Sequence, residues 1–220
     1  MGIVVVTGAS RGIGLELGRQ YASMGKTVVA TCRTLTDELA ALQVETVEGI
    51  DIASAEAAAK LRERINGRKI DILVNNAGIF DNTLLGQIDY EDVLREFCTN
   101  ALGPLRLTET LLPDMPSGAK IAMITSRMGS MADNGSGAYY AYRMSKAALN
   151  AAGVSLARDL KDRGIAVVML HPGFVSTRMV GFHGDISPET AAERLIQRID
   201  ELTLAHSGRF LHSDGSELPW

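Results

Sequence analysis

Tyr142 and Lys146 stand four residues apart in Tyr142-Arg143-Met144-Ser145-Lys146, inside a segment with helical patterning. Residues i and i+4 share a helix face, so a phenol and an ammonium placed this way can act on one bound molecule. A nearby positive charge stabilises phenolate and lowers the phenol pKa from its reference of about 10, which suits it to protonate a carbonyl near neutral pH. Such a pair also arises by chance in many helices. Tyr139 and Tyr140 lie close by, but neither has a Lys four residues later. A second set, Thr7-Gly8-Ala9-Ser10-Arg11-Gly12-Ile13-Gly14, follows an apolar run. Gly8, Gly12 and Gly14 allow a tight turn, close approach of backbone to a pyrophosphate, and close packing of the next helix on the sheet. The N-terminus of that helix then offers free N–H groups and a favourable dipole to phosphate. A third set, Asn75-Asn76-Ala77-Gly78, ends the apolar run IDILVN. Adjacent Asn side chains can bind nearby backbone and fix a loop where a ligand crosses a sheet edge; an Asn-rich turn is the plain alternative.

The elements that must position these groups alternate along the whole chain. Apolar runs predict strands near Ile3–Thr7, Thr27–Thr31, Val44–Ile50, Ile70–Asn75, Lys120–Thr125, Ile165–Leu170 and Arg209–His212. Several are nearly continuous and rich in Val and Ile, as expected of strands covered on both faces of a parallel sheet. Helical patterning predicts helices over Gly12–Met24, Ala53–Ile65, Tyr90–Leu112, Ala141–Arg163 and Pro188–Thr203, the last announced by Ser187-Pro188-Glu189. The alternation implies right-handed βαβ units. The expected fold is α/β: one Rossmann-type, doubly wound, mainly parallel seven-stranded sheet with helices on both faces, forming a single domain over residues 1–220.

Composition narrows the setting. Hydrophobic residues make up 46% and charged residues 22% of 220, which excludes global disorder. A net charge of −4 argues against a general nucleic-acid or anionic-membrane binder. Cys32 and Cys98 lie far apart without metal-ligand spacing, and His183, His206 and His212 show none either, so no metal is expected. Two free thiols, no basic leader and no apolar run of membrane-spanning length point to a cytoplasmic protein.

In order, TGASRGIG, Asp51, NNAG, Asn100, Ser126, YRMSK and HPGFVST resemble the short-chain dehydrogenase/reductase family over essentially the whole chain. The stretch Gly135–Ala147 and the ending GSELPW are similar to its carbonyl-reductase-like branch, which includes the C-factor proteins. The resemblance implies NADPH-dependent reduction of a small-molecule carbonyl, with Tyr142 as proton donor and Ser126 bonding the substrate oxygen. Ser126 ends KIAMITS sixteen residues before Tyr142; Ser130 is the competitor. Lys146 would polarise Tyr142 and bind the nicotinamide ribose, and Asn100 would hold a water in a proton relay. The cofactor would meet Gly8, Ser10, Arg11, Gly12, Ile13 and Gly14 at its phosphates. Asp51 and Ile52 would lie near adenine, although Asp51 as N-cap of helix 53–65 is an equal account. Asn76, Ala77 and Gly78 would flank the cofactor, with Pro172, Gly173, Val175 and Thr177 at the nicotinamide. His171 reads as a packed or backbone-bonded histidine. A dinucleotide-binding signalling protein of C-factor type, with little metabolic turnover, is the competing role.

Which dinucleotide is used turns on the end of the second strand. An acid there binds the ribose hydroxyls of NAD, but this chain has Cys32, followed by Arg33, with Arg11 inside the glycine turn. Either guanidinium can bind a 2′-phosphate, so NADP is expected. Only Arg178 to Ser187 separates Thr177 from the helix at Pro188, leaving a short lid with Met179, Val180, Phe182 and His183 as available lining. Helices 90–112 and 141–163 are the surfaces on which the family forms homodimers or homotetramers; the Ala-rich stretch Ala147–Ala157 would permit close helix approach or pack inward.

Overall fold

All four residues of β1 (Ile3–Val6) are buried, so both faces of this strand are covered. Successive side chains alternate across a sheet: Ile3 and Val5 enter one core, Val4 and Val6 the other. The computed structural model describes residues 2–220. Its further elements are α1 (Gly12–Ser23), β2 (Thr27–Thr31), α2 (Asp37–Ala40), β3 (Glu45–Val47), α3 (Ala55–Ile65), β4 (Ile70–Asn75) and α4 (Tyr90–Phe97). Then come α5 (Gly103–Leu111), β5 (Lys120–Ile124), α6 (Tyr140–Asp159), β6 (Ala166–His171), α7 (Pro188–Asp200) and β7 (Phe210–His212). The seven strands form one sheet in the order β3-β2-β1-β4-β5-β6-β7, every neighbouring pair parallel. Leu61, Leu107 and Leu149 of α3, α5 and α6 pack on one face; Leu17 and Leu195 of α1 and α7 pack on the other. The chain reverses its direction of winding between β1 and β4, and the crevice outside their carboxyl ends is where such sheets bind ligands.

The structure redraws several predicted elements. The strand expected over Val44–Ile50 is only Glu45–Val47, because Gly49 and Ile50 turn back to bond Arg33 and Cys32. The short α2 has no apolar period to announce it; Thr36 caps it by accepting from Leu39 N. Asp51 does not cap the third helix. Ser54 does, accepting from Glu56 N, while the Asp51 carboxylate closes a turn onto Ala53 N at 3.1 Å. The single helix expected over Tyr90–Leu112 is α4 and α5 joined by a π-helical turn, Cys98–Leu102, with Asn100 at its centre. Such turns occur mostly as local bulges at functional sites. In α6, Leu149, Gly153, Leu156 and Ala157 are buried, so one side of its Ala-rich stretch packs inward. Among the described residues no helix is long and apolar enough to cross a membrane.

Candidate active site

Thr7, at the end of β1, ties the glycine turn to the loop after β4. Its hydroxyl accepts from the backbone N–H of Asn76 and of Ala77, each at 3.0 Å. The Asn76 amide in turn donates to Thr7 O at 2.9 Å and Gly8 O at 3.3 Å. The two loops meet so closely that a Cβ on Gly8 (φ +66°) would lie 2.8 Å from Ala77 Cα. One on Gly14 would overlap Gly8 O and the Asn76 amide. No side chain caps α1, and its first turn holds no acid. The N–H groups of Gly12, Ile13 and Gly14 therefore have no side-chain partner among the described residues and remain available to a phosphate. Thr177 faces the same turn, with Cγ2 3.4 Å from where a Gly12 Cβ would stand.

Outward from the turn, Ser10 O accepts from the Thr36 hydroxyl at 2.8 Å. Cys32 is buried at the end of β2, its thiol pushed up by burial and then by Glu48. Glu48 is held by Leu35 N at 3.1 Å. Arg11 and Arg33 are exposed, and neither guanidinium makes a hydrogen bond or ion pair among the described residues. Asp51 is exposed, whereas Ile52 is buried with its carbonyl against Gly103 of α5, so this loop is anchored on the helix layer. Pro172 O accepts from Ser213 Oγ, Gly173 lies beside Ile186 and His212, and Val175 pairs with Ile186 across the lid.

Tyr142 sits in the first turn of α6, whose start is fixed by Thr83. Thr83 O accepts from Tyr139 N at 2.7 Å and Thr83 Oγ1 accepts from Ala141 N at 3.2 Å. Ala138 and Tyr139 both hold left-handed backbone, φ 53° and 55°. Such strain costs about 1–3 kcal/mol per residue and gathers at functional sites. The Tyr142 ring meets Phe80 edge-on, centroids 4.9 Å apart, and Lys146 Nζ lies 5.7 Å from the Tyr142 ring centre. Buried Lys146 donates to Ile124 O at 2.9 Å. Ser126 Oγ accepts from Met128 N at 3.1 Å and lies near enough to Tyr142 to draw its phenol down. Ser130 likewise accepts a backbone N–H, from Asp133 at 3.0 Å. Asn100 Oδ1 accepts from Ile79 N at 2.9 Å; its amide donates to Ile79 O at 2.9 Å and Ser145 Oγ at 3.0 Å.

Electrostatically the pair differs from the sequence expectation. The Tyr142 phenol is raised, not lowered: burial dominates, Glu96 adds to it, and only Ser126 opposes. Among the described residues Lys146 has no ion pair within salt-bridge distance, and burial brings it down to about 8, with Glu96 resisting. Desolvation dominates for both groups, with Lys146 buried and Tyr142 half-buried. His171 is buried against His212, ring centroids 5.0 Å apart, and is pushed down to about 3, mainly by burial. It is neutral, its Nδ1 without a partner among the described residues. Met179 and Phe182 of the lid are exposed, and no group of acids, Cys and His that could hold a metal occurs among the described residues.

Sequence reasoning passed over Thr7, Thr83, Glu96 and Ser145. Ser145 stands inside YRMSK, and Glu96 is one helical turn before Asn100, so spacing could have signalled both. Nothing local marks Thr83. The glycine turn, unblocked helix N-terminus and free guanidinium groups fit a phosphorylated dinucleotide. Beside them converge a phenol, an ammonium, a hydroxyl and an amide.

Residues 2–201 match the family model for short chain dehydrogenase. The chain belongs to this family. A Rhodococcus sp. (strain AD45) relative, 1-hydroxy-2-glutathionyl-2-methyl-3-butene dehydrogenase, is 41% identical over 100% of both chains. C-signal of Myxococcus xanthus is 47% identical over 69% of this short-chain dehydrogenase and 93% of its own length. The NADPH-bound carbonyl reductase from chicken fatty liver superimposes with a TM-score of 0.89 at 29% identity, covering 100% of this chain and 99% of the other.

Proposed function

We propose that this short-chain dehydrogenase, acting as one catalytic domain, uses NADPH to reduce the carbonyl of a small molecule. The observation that carries the reading is the meeting of Tyr142, Lys146 and Ser126 beside the glycine turn at the carboxyl end of the sheet. Arg11 and Arg33 would hold the 2′-phosphate, Ser10 to Gly14 the pyrophosphate, and Thr177, Val175, Gly173 and Pro172 the nicotinamide end. Asp51 and Ile52 would border the adenine, with Asn76 to Gly78 beneath the ribose. When bound, the cofactor supplies a hydride to the carbonyl carbon.

The chain's own residues handle the oxygen. Ser126 donates a hydrogen bond to it, which orients the carbonyl and stabilises developing negative charge. Tyr142 donates its O–H proton, so the product is an alcohol and the phenol is left as phenolate. Lys146 stabilises that phenolate, an interaction that must overcome the burial now raising Tyr142. Asn100 holds the Ile79 backbone behind the pair and would place a relay water that returns the proton from solvent. Similarity to C-signal favours a regulatory role as the second reading. The complete Tyr142–Lys146–Ser126 set supports turnover, which a binding module does not need.

The test is NADPH oxidation by the purified protein across aldehydes, ketones and quinones, with Tyr142→Phe as control. The phenylalanine keeps the ring packing and deletes the proton, so kcat should fall about 10²-fold or more while NADPH affinity stays within a few-fold. A wild-type rate in the variant would remove Tyr142 from its role. NADPH binding without oxidation on any carbonyl would favour the regulatory reading.

A further inference from the structure

Glu96 is completely buried in α4, yet among the described residues it belongs to no ion pair. One carboxylate oxygen accepts from Asp81 N; the other has no partner among the described residues. A half-satisfied carboxylate in a protein interior is costly and persists where something else is gained. Its surroundings show what that is. Glu96 and Asn100 are one helical turn apart, and both hold the backbone of segment 78–81. Asn100 bonds Ile79 through both N–H and C=O, and Glu96 bonds Asp81 N. The intervening Phe80 rests on the Tyr142 ring. At Gly78, the place of an absent Cβ is 3.1 Å from Asn100 Oδ1 and 3.6 Å from Lys146 Nζ. The segment is thus clamped between α4 and the catalytic face of α6.

We propose that Glu96 is a positioning residue for proton transfer: it clamps segment 78–81 against Tyr142 and Lys146, and its ionised carboxylate keeps the buried Lys146 ammonium charged. This rests on the assignment of Tyr142 and Lys146 as the reacting pair. Charged and titratable neighbours facing Glu96 are Asp81 on the segment, Arg95 on its own helix, and Tyr142 and Lys146 on α6. Asp81 and Arg95 pair with each other at 2.6 Å on the outer side. Glu96 is therefore the acid that acts on Lys146 from within. Its own carboxyl is pushed up to about 7, mainly by burial, so the charge that supports Lys146 develops across neutral pH.

Glu96→Gln retains an acceptor for Asp81 N while removing the charge. We expect kcat/KM for carbonyl reduction in the variant to lose its alkaline side at lower pH, the limb moving down by roughly half a unit to one unit. Near pH 6, where Lys146 is charged regardless, the two proteins should agree within about threefold. An unmoved alkaline limb in a folded variant overturns the proposal. A second measurement needs neither turnover nor the variant: the carboxyl resonance of Glu96 followed by NMR through a pH titration of the wild type and of Lys146→Met. Titration near neutrality that moves further upward in Lys146→Met supports the coupling. Titration in the ordinary glutamate range, or a curve unchanged by Lys146→Met, overturns it. If no carbonyl is reduced while the resonance behaves as expected, the assigned reaction fails and the Glu96–Lys146 coupling stands.

Discussion

Replacing Asn100 with alanine is expected to loosen the catalytic face before it unfolds the protein. Asn100 is fully buried and its amide serves Ile79 N, Ile79 O and Ser145 Oγ at 2.9, 2.9 and 3.0 Å. Ser145 keeps its own bond to Tyr142 O at 2.9 Å, so the loss there is small. The two Ile79 backbone groups lose their partner, each at about 1–3 kcal/mol. Ile79 is only half-buried, so water offsets part of this and the lower half of the range applies. Asn100→Ala should therefore cost about 2–4 kcal/mol in urea unfolding with m unchanged, or roughly 5–15 °C in Tm for a chain of this size. Since Ile79 precedes the Phe80 that braces Tyr142, kcat should fall at least about tenfold while NADPH affinity changes little. Asn100→Asp should be worse still: it keeps an acceptor but loses both donated bonds and buries a charge. Stability within about 0.5 kcal/mol of wild type, together with an unchanged kcat, would refute the clamp around Ile79.

Arg33→Ala and Arg11→Ala should each narrow a preference for NADPH over NADH that is at least about tenfold in the wild type, since each guanidinium contributes charge-assisted bonds of about 1.5–3 kcal/mol before screening. Equal Kd values for the two dinucleotides in the wild type would contradict this, as would an unchanged ratio in both variants. His171, brought down to about 3 by burial, should make the fold acid-labile. A depressed histidine contributes stability that is fully present above its unfolded pKa of about 6.5 and is lost progressively as pH falls toward its folded value. His171→Asn should flatten the slope of unfolding free energy against pH between about 6.5 and 3, whatever its effect at neutral pH. An identical slope would show that other groups drive acid unfolding.

Much of the fold was legible because its signals are local. Val and Ile runs buried on both faces can serve only as interior strands, and Gly8 and Gly14 stand where the next loop and the turn itself leave no room for a Cβ. Tyr142 and Lys146 are brought together by helix geometry alone, so their spacing was sufficient. The choice of Ser126 over Ser130 rests on strand position; both hydroxyls accept a backbone N–H, from Met128 and Asp133. What tertiary structure decided lies between segments distant in sequence. The π turn around Asn100 is invisible to periodicity because its reason is Ile79 and Ser145, twenty-one and forty-five residues away. Thr83 starts α6 from fifty-eight residues upstream, and the tertiary bonds that complete Glu96's role likewise cross from α4 to another segment. The direction of the Tyr142 shift was also decided there: spacing reports that a cation is near, but only packing reports how much water has been removed from both groups.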